Sequence, residues 1–201
     1  MLLLLRHAET RANRRGLWHG SSDGPLTFRG RRQLKRTVSR VARVTPPAAI
    51  YTSPAGRCLR LAEAAAEATD AALTVVDELR EQAIGDWEGL SFSRLAKEHA
   101  LVERTTADPH FAPPGGGESL RDVADRIVPA LRRLHDQHDP DERVLAVGHG
   151  VAFGIALGEL LDEDPTRWAD YRLANCSITE LLLIPGSPPQ LGLFNGTFHL
   201  S

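Results

Sequence analysis

The chain has 201 residues, 42% of them hydrophobic, and a formal net charge of −2, so it can bury a sizeable core without disulfide or metal staples. That balance, with a pI of about 6.4, provides no global field toward nucleic acid or anionic membrane, so any anion must be held locally. Cys58 and Cys176 lie far apart and form no C-x-x-C pair, the opening leucines are too few for a signal segment, and no run approaches the ~18 apolar residues of a membrane span. A cytoplasmic protein without metal, nucleic-acid or membrane partners is expected.

The run LLLL at 2–5 has the pattern of a strand covered on both faces. Residues 11–25 are polar and glycine-bearing, the composition of a long loop. Thr27 is placed to cap a helix to about Val44, with Leu34, Val38, Val41 and Ala42 on one face and its many arginines toward water. AAIYT at 48–52 is a second strand. Ser53-Pro54 has the form of an N-cap with proline at the first helical position, opening an alanine-rich helix to about Thr69. A short third strand is expected at 73–76.

Residues 77–117 differ in character. They carry two glycine turns, an expected helix from Ser91 to about Arg104, and the loop HFAPPGGGES, so they form an excursion from the sheet. Ser119-x-x-Asp122 is a capping-box variant that opens a helix ending near His138. A buried strand at 143–147, a helix at 151–161 and one or two strands within 177–184 and 191–198 complete the chain. Strands alternating with helices predict one α/β domain over 1–201, a three-layer α/β/α sandwich with a mostly parallel central sheet.

In such sheets ligands gather beyond the carboxyl ends of the strands. Three strands here end in reactive residues: LLLL in Arg6-His7, AAIYT in Ser53-Pro54 with Arg57 behind, and VLAV in Gly148-His149-Gly150. One sheet edge therefore collects two histidines and two arginines. A histidine nitrogen can carry a phosphoryl group covalently, and arginine forks neutralise its oxygens bidentately, with no metal needed where enough cations converge. A departing alkoxide also needs a general acid. Glu9, Glu81, Asp86, Glu88 and Glu118 are the candidates, and spacing does not choose among them.

Seven stretches in order, RHAET with Asn13, GSSDGPLTFRGRRQ, SPAGR, LREQAIGDWEG, PPGGGESL, VLAVGHG and NCSITEL, resemble the histidine phosphatase superfamily, the phosphoglycerate mutase-like proteins, and its phosphatase branch in particular. The resemblance implies that the excursion at about 77–117 caps the site. It implies His7 as the phosphorylated nucleophile, Arg6, Asn13, Arg57 and His149 as holders of the phosphoryl oxygens with Gly150 beside them, and Glu81 as proton donor. No cofactor is implied. The expected activity is metal-independent hydrolysis of a small phosphomonoester, of the histidine acid phosphatase type, through a phosphohistidine. The alternatives are a phosphoglycerate mutase and a non-catalytic phospho-ligand-binding module. The partner is a small phosphoester, and a homodimer is one of the open oligomeric states.

Two positions depart from the family pattern: Ala8 stands where glycine is usual, and Trp18-His19-Gly20 where glutamine often precedes the glycine. Trp18, His19 and Gly20, with Arg14 and Arg15, are candidates for the substrate rim. Trp87, Phe92 and Phe111 are expected to pack the excursion on the sheet, with lining of a substrate pocket as the alternative, Glu9 and Thr10 to make structural hydrogen bonds, and His135 and His138 to sit on a solvated helix end.

Overall fold

The computed structural model describes residues Met1–Ser201. Its centre is a six-stranded sheet of β1 (Leu2–Arg6), β2 (Ala49–Thr52), β3 (Ala72–Val75), β4 (Val144–Gly148), β5 (Ile178–Leu182) and β6 (Gln190–Leu191), in the order β3-β2-β4-β1-β5-β6. β1 to β4 are mutually parallel, while β5 runs antiparallel to β1 and β6 antiparallel to β5. The four leucines of β1 read as a continuous apolar run because the strand is sandwiched. Leu2 and Leu4 point into a core shared with α6 (Leu120–Asp136) and α7 (Gly150–Asp162), and Leu3 and Leu5 into one shared with α2 (Phe28–Val44) and α3 (Gly56–Thr69). Burying each leucine contributes roughly 1.5–3 kcal/mol.

α2 starts as expected, with the Thr27 hydroxyl accepting from the Gly30 N–H. α6 opens with both arms of the Ser119/Asp122 capping box in place. Elsewhere local signals were overridden. Residues 11–25 are not all loop: α1 (Arg11–Arg14) is capped by Thr10, whose N–H donates to the Asn13 side chain while its hydroxyl accepts from the Asn13 N–H. Pro54 does not begin a helix. α3 starts at Gly56, and the Arg57 N–H is capped by the Asp23 carboxylate from a distant loop, 3.1 Å away. A Cβ on Gly56 would lie 2.4 Å from that carboxylate, so a larger residue here would displace the Asp23 side chain.

The expected helix from Ser91 is two, α4 (Phe92–His99) and α5 (Leu101–Ala107), because Ala100 takes a left-handed conformation (φ 48°) that α-helix cannot continue through. In the tail only Gln190–Leu191 forms the second strand, followed by a 3-10 turn at Phe198–Leu200. No helix is long and apolar enough to cross a membrane.

The pairing of β1 with β4 puts Arg6 opposite Gly148, and the ladder continues one step beyond, His7 N–H to the Gly148 carbonyl at 3.0 Å. On the other side of β4, the Ser53 N–H donates to the Val147 carbonyl. The ends of β2, β4 and β1 are therefore neighbours, and β4 leaves the sheet at a residue with no room for a side chain: a Cβ on Gly148 would sit 2.5 Å from the Phe153 ring. Gly148→Val should overpack this point and lower unfolding free energy by about 1–3 kcal/mol, measured by urea denaturation against wild type.

Candidate active site

Beyond these strand ends lies a cavity of about 320 Å³. Six expected site residues line it: Arg6 and His7 from the end of β1, Asn13 from α1, Arg57 from the first turn of α3, Glu81 from the excursion, and Gly150 at the start of α7. Trp18 and His19 line it as well. Gly20 takes part through its carbonyl, and His149 lies behind the wall, its ring 5.4 Å from that of His7 at 62°. Arg14 and Arg15 face a separate cavity with Arg11 and Arg31, so they are not part of this rim.

The hydrogen bonds assign both histidine tautomers. His7 Nδ1 lies 2.9 Å from the Ala8 carbonyl, which can only accept, so Nδ1 carries the proton and Nε2 keeps its lone pair. His149 Nδ1 accepts from the Arg57 guanidinium at 3.1 Å, so its Nε2–H donates to the Ser53 hydroxyl at 2.7 Å. Burial first, then the Arg6 and Arg57 guanidiniums, hold His7 well below the usual imidazole range. Burial and then Arg57 do the same to His149. Both rings are neutral at pH 7. Cys58 lies 3.5 Å from His149 Nε2, but burial pushes its thiol up to about 12, so it is an inert neighbour.

Arg57 is 3% exposed and is held mostly by carbonyls. It donates to those of Ser22, His19 and Gly20 at 2.7, 3.2 and 3.0 Å, and the Asp23 carboxylate stands 3.6 Å away. The loop supplying these carbonyls is pinned by Glu88, which accepts from the N–H groups of Gly20 and Ser22 and from the Ser22 hydroxyl. A Cβ on Gly20 would lie 2.3 Å from the Gln82 carbonyl, so loop and excursion meet there backbone to backbone. Arg6 donates through Nη1 to the Leu173 carbonyl, while its buried Nε–H has no partner in the protein. An orphan donor beside a cavity calls for a ligand oxygen.

Of the five acids that spacing left open, only Glu81 reaches the cavity. Its carboxyl oxygens accept from the N–H groups of Gln82, Val151 and Ala152, the latter two in the first turn of α7. Arg126 fixes the segment beneath it, donating to the carbonyls of Glu78, Arg80 and Glu81 while paired with Glu118. Glu9 bonds the Thr27 hydroxyl, Glu88 and Glu118 are structural, and Asp86 is exposed.

Several lining residues carried no expected site role. Asn175 donates to the His7 carbonyl at 3.0 Å and to Asn13 Oδ1 at 3.3 Å, tying the turn before β5 to the site. Asn13 Oδ1 accepts three donors in all, while its Nδ2 makes no hydrogen bond within the protein. Trp168, Arg172 and Phe92 also line the cavity. Phe92 both packs against the core and Trp18, as expected, and lines the cavity, the alternative role for it, whereas Trp87 and Phe111 pack together at 6.0 Å. Ala8 does not take a positive φ and its methyl group is fully buried, so alanine fits this position without strain. His138 binds the Tyr51 hydroxyl and Glu142, and His135 binds Asp136, so neither is free as a ligand. No cluster of three His, Cys, Asp or Glu side chains converges elsewhere to hold a metal.

Known proteins resemble the chain over nearly its whole length. The chain is 32% identical over 182 residues to a probable phosphoglycerate mutase, GpmB, of Cronobacter sakazakii, covering 89% of this chain and 82% of that protein. It is 32% identical over 181 residues to PhoE of Bacillus subtilis, an uncharacterized phosphatase, covering 88% of each. Among solved structures, phosphoserine phosphatase of Entamoeba histolytica in complex with 3-phosphoglyceric acid superposes with a TM-score of 0.87 at 26% identity, over 100% of this chain and 98% of that one. The family model for the histidine phosphatase superfamily (branch 1) matches residues 2–195, and the chain belongs to that superfamily.

Proposed function

We propose that this protein is a phosphomonoester hydrolase that works through a phosphohistidine. The observation that carries the reading is the His7 tautomer: with Nδ1 committed to the Ala8 carbonyl, an unprotonated Nε2 is left on a ring that lines the cavity with Arg6 and Arg57. Nε2 attacks phosphorus, forming the N–P bond as the P–O bond to the alcohol breaks. Arg6 and Arg57, with Asn13 Nδ2 and the first turn of α7 at Gly150, neutralise the equatorial oxygens. His149 is a positioning residue for Arg57 and packs on the His7 ring.

Glu81 gives its proton to the departing alkoxide, and as carboxylate then takes one from the water that displaces His7 from phosphorus. Inorganic phosphate leaves and both groups return to their starting states. Hydrolysis is favoured over phosphoryl return to a second substrate because the excursion gives the cavity wall only Glu81 and Phe92, too little to shut an intermediate away from water. The phosphatases among the relatives agree with this reading.

His7→Ala should lower phosphate release by about ten-thousand-fold or more and abolish the acid-labile, base-stable phosphoprotein seen after rapid quench. Glu81→Gln should slow hydrolysis of alkyl phosphates by about 100- to 10,000-fold, yet still be phosphorylated by 4-nitrophenyl phosphate, whose leaving group needs no proton. Unchanged alkyl-ester rates in Glu81→Gln would remove it as the acid. Release should persist in EDTA, and isomerisation of phosphoglycerate without free phosphate would turn the reading to a mutase.

The two depressed histidines also predict a stability profile. An imidazole whose folded value lies below its unfolded one contributes in full above about pH 6.5 and loses that contribution as pH falls toward the folded value, because the unfolded chain takes up protons that the folded site refuses. In phosphate-free buffer, wild type should lose denaturation midpoint between pH 7 and 5 more steeply than the His7→Gln/His149→Gln variant. Parallel slopes would contradict the neutral, buried state of the pair.

A further inference from the structure

The cavity is also lined by aromatic rings drawn from three separate segments. Trp18 follows α1, Phe92 opens α4, and Trp168 lies in the 3-10 turn Pro165–Ala169. Trp18 and Phe92 stack with centroids 5.9 Å apart and planes 20° from parallel, and Trp168 stands edge-on to them at 6.0 and 6.5 Å. Arg172 closes the corner, its guanidinium carbon 5.6 Å from the centre of the Phe92 ring. It makes no ion pair or hydrogen bond within the protein and is exposed to solvent.

Three of the small polar side chains that line the cavity are already occupied. The Thr10 hydroxyl caps α1, Ser22 donates to Glu88, and the Asn175 amide is bound to the His7 carbonyl and Asn13. A polyol placed here would lose water from its hydroxyls with few partners in return. A flat apolar group would instead gain burial and ring contact. The one lining cation outside the phosphoryl clamp is Arg172.

We infer that this aromatic corner is a subsite for the alcohol portion of the substrate, and that it selects phosphomonoesters of alcohols bearing a flat apolar group together with a carboxylate within reach of Arg172. The inference rests on the phosphomonoesterase reading for the reaction, but the subsite is defined by binding and can be tested apart from turnover.

Four alkyl phosphates separate the contributions at similar leaving-group basicity: ethyl phosphate, 2-phenylethyl phosphate, 1-phenylpropan-2-yl phosphate and 2-phosphooxy-3-phenylpropanoate, the last replacing the methyl group of the third by a carboxylate. Glycerol 3-phosphate serves as the hydrated comparator. Wild type should prefer 2-phenylethyl over ethyl phosphate by about 10- to 100-fold in kcat/KM. The carboxylate should add about fivefold. Phe92→Ala should shrink the first ratio, while Arg172→Met should erase the second and Arg172→Lys keep part of it. Calorimetric titration of the same esters into the His7→Ala variant should give the same order of dissociation constants.

Equal rates for ethyl and phenylethyl esters, or a preference for glycerol 3-phosphate, with release still dependent on His7, would overturn the subsite and leave the hydrolase standing. No release from any ester, with the phenyl esters still bound more tightly, would overturn the hydrolase and leave the subsite. Loss of both the release and the binding order would overturn both.

Discussion

The hydrogen bond from the His7 N–H to the Gly148 carbonyl is the last rung of the β1–β4 ladder, and everything in the cavity is referred to it. Because the two strands are parallel and in register at Arg6 and Gly148, their next residues leave the sheet side by side, which sets the two imidazole rings 5.4 Å apart. A slip of one residue would send the leucines of β1 to the wrong layers and separate the histidines. The burial that makes β1 continuously apolar is thus the same constraint that places the reactive residues.

The second constraint is the charge of Arg57. A guanidinium 3% exposed must be compensated locally, and here three carbonyls do most of it, with Asp23 and an imidazole nitrogen completing the set. That arrangement couples distant segments. Asp23 caps α3 as well as facing the guanidinium, and Glu88 holds the carbonyl-bearing loop to the excursion. The cavity wall is therefore cross-tied where charge is to be held, and it also carries aromatic rings and one free cation, Arg172. In the proposed reaction these are the two halves of recognition, one for the phosphoryl group and one for what it is attached to.

Much of this was legible locally. The strand ends, the Thr27 cap and the Ser119/Asp122 box depend on contacts within a few residues, which a sequence pattern records directly. One departure from these local patterns fell where a tertiary contact competed, another at a single left-handed residue. Ser53-Pro54 looks like a helix start, but the cap comes from Asp23, more than thirty positions away. The 91–104 periodicity runs through Ala100, yet the chain breaks there into two helices. Trp168 and Arg172 had no local signal, since an aromatic or an arginine after a helix looks the same whether it packs, is solvated or faces a ligand.

What the sequence by itself determined is the α/β architecture and the residue types delivered to one sheet edge, because hydrophobic periodicity and short capping motifs are local properties of the chain; the family showed itself separately, through the resemblance carried by seven ordered stretches. Only the tertiary structure decided how Glu81 is held at the cavity, which nitrogen of His7 keeps its lone pair, and which rings line the cavity beside it. Those outcomes depend on the carbonyls, N–H groups and ring faces that folding brings together from remote positions, and no spacing rule along the chain encodes where such partners meet.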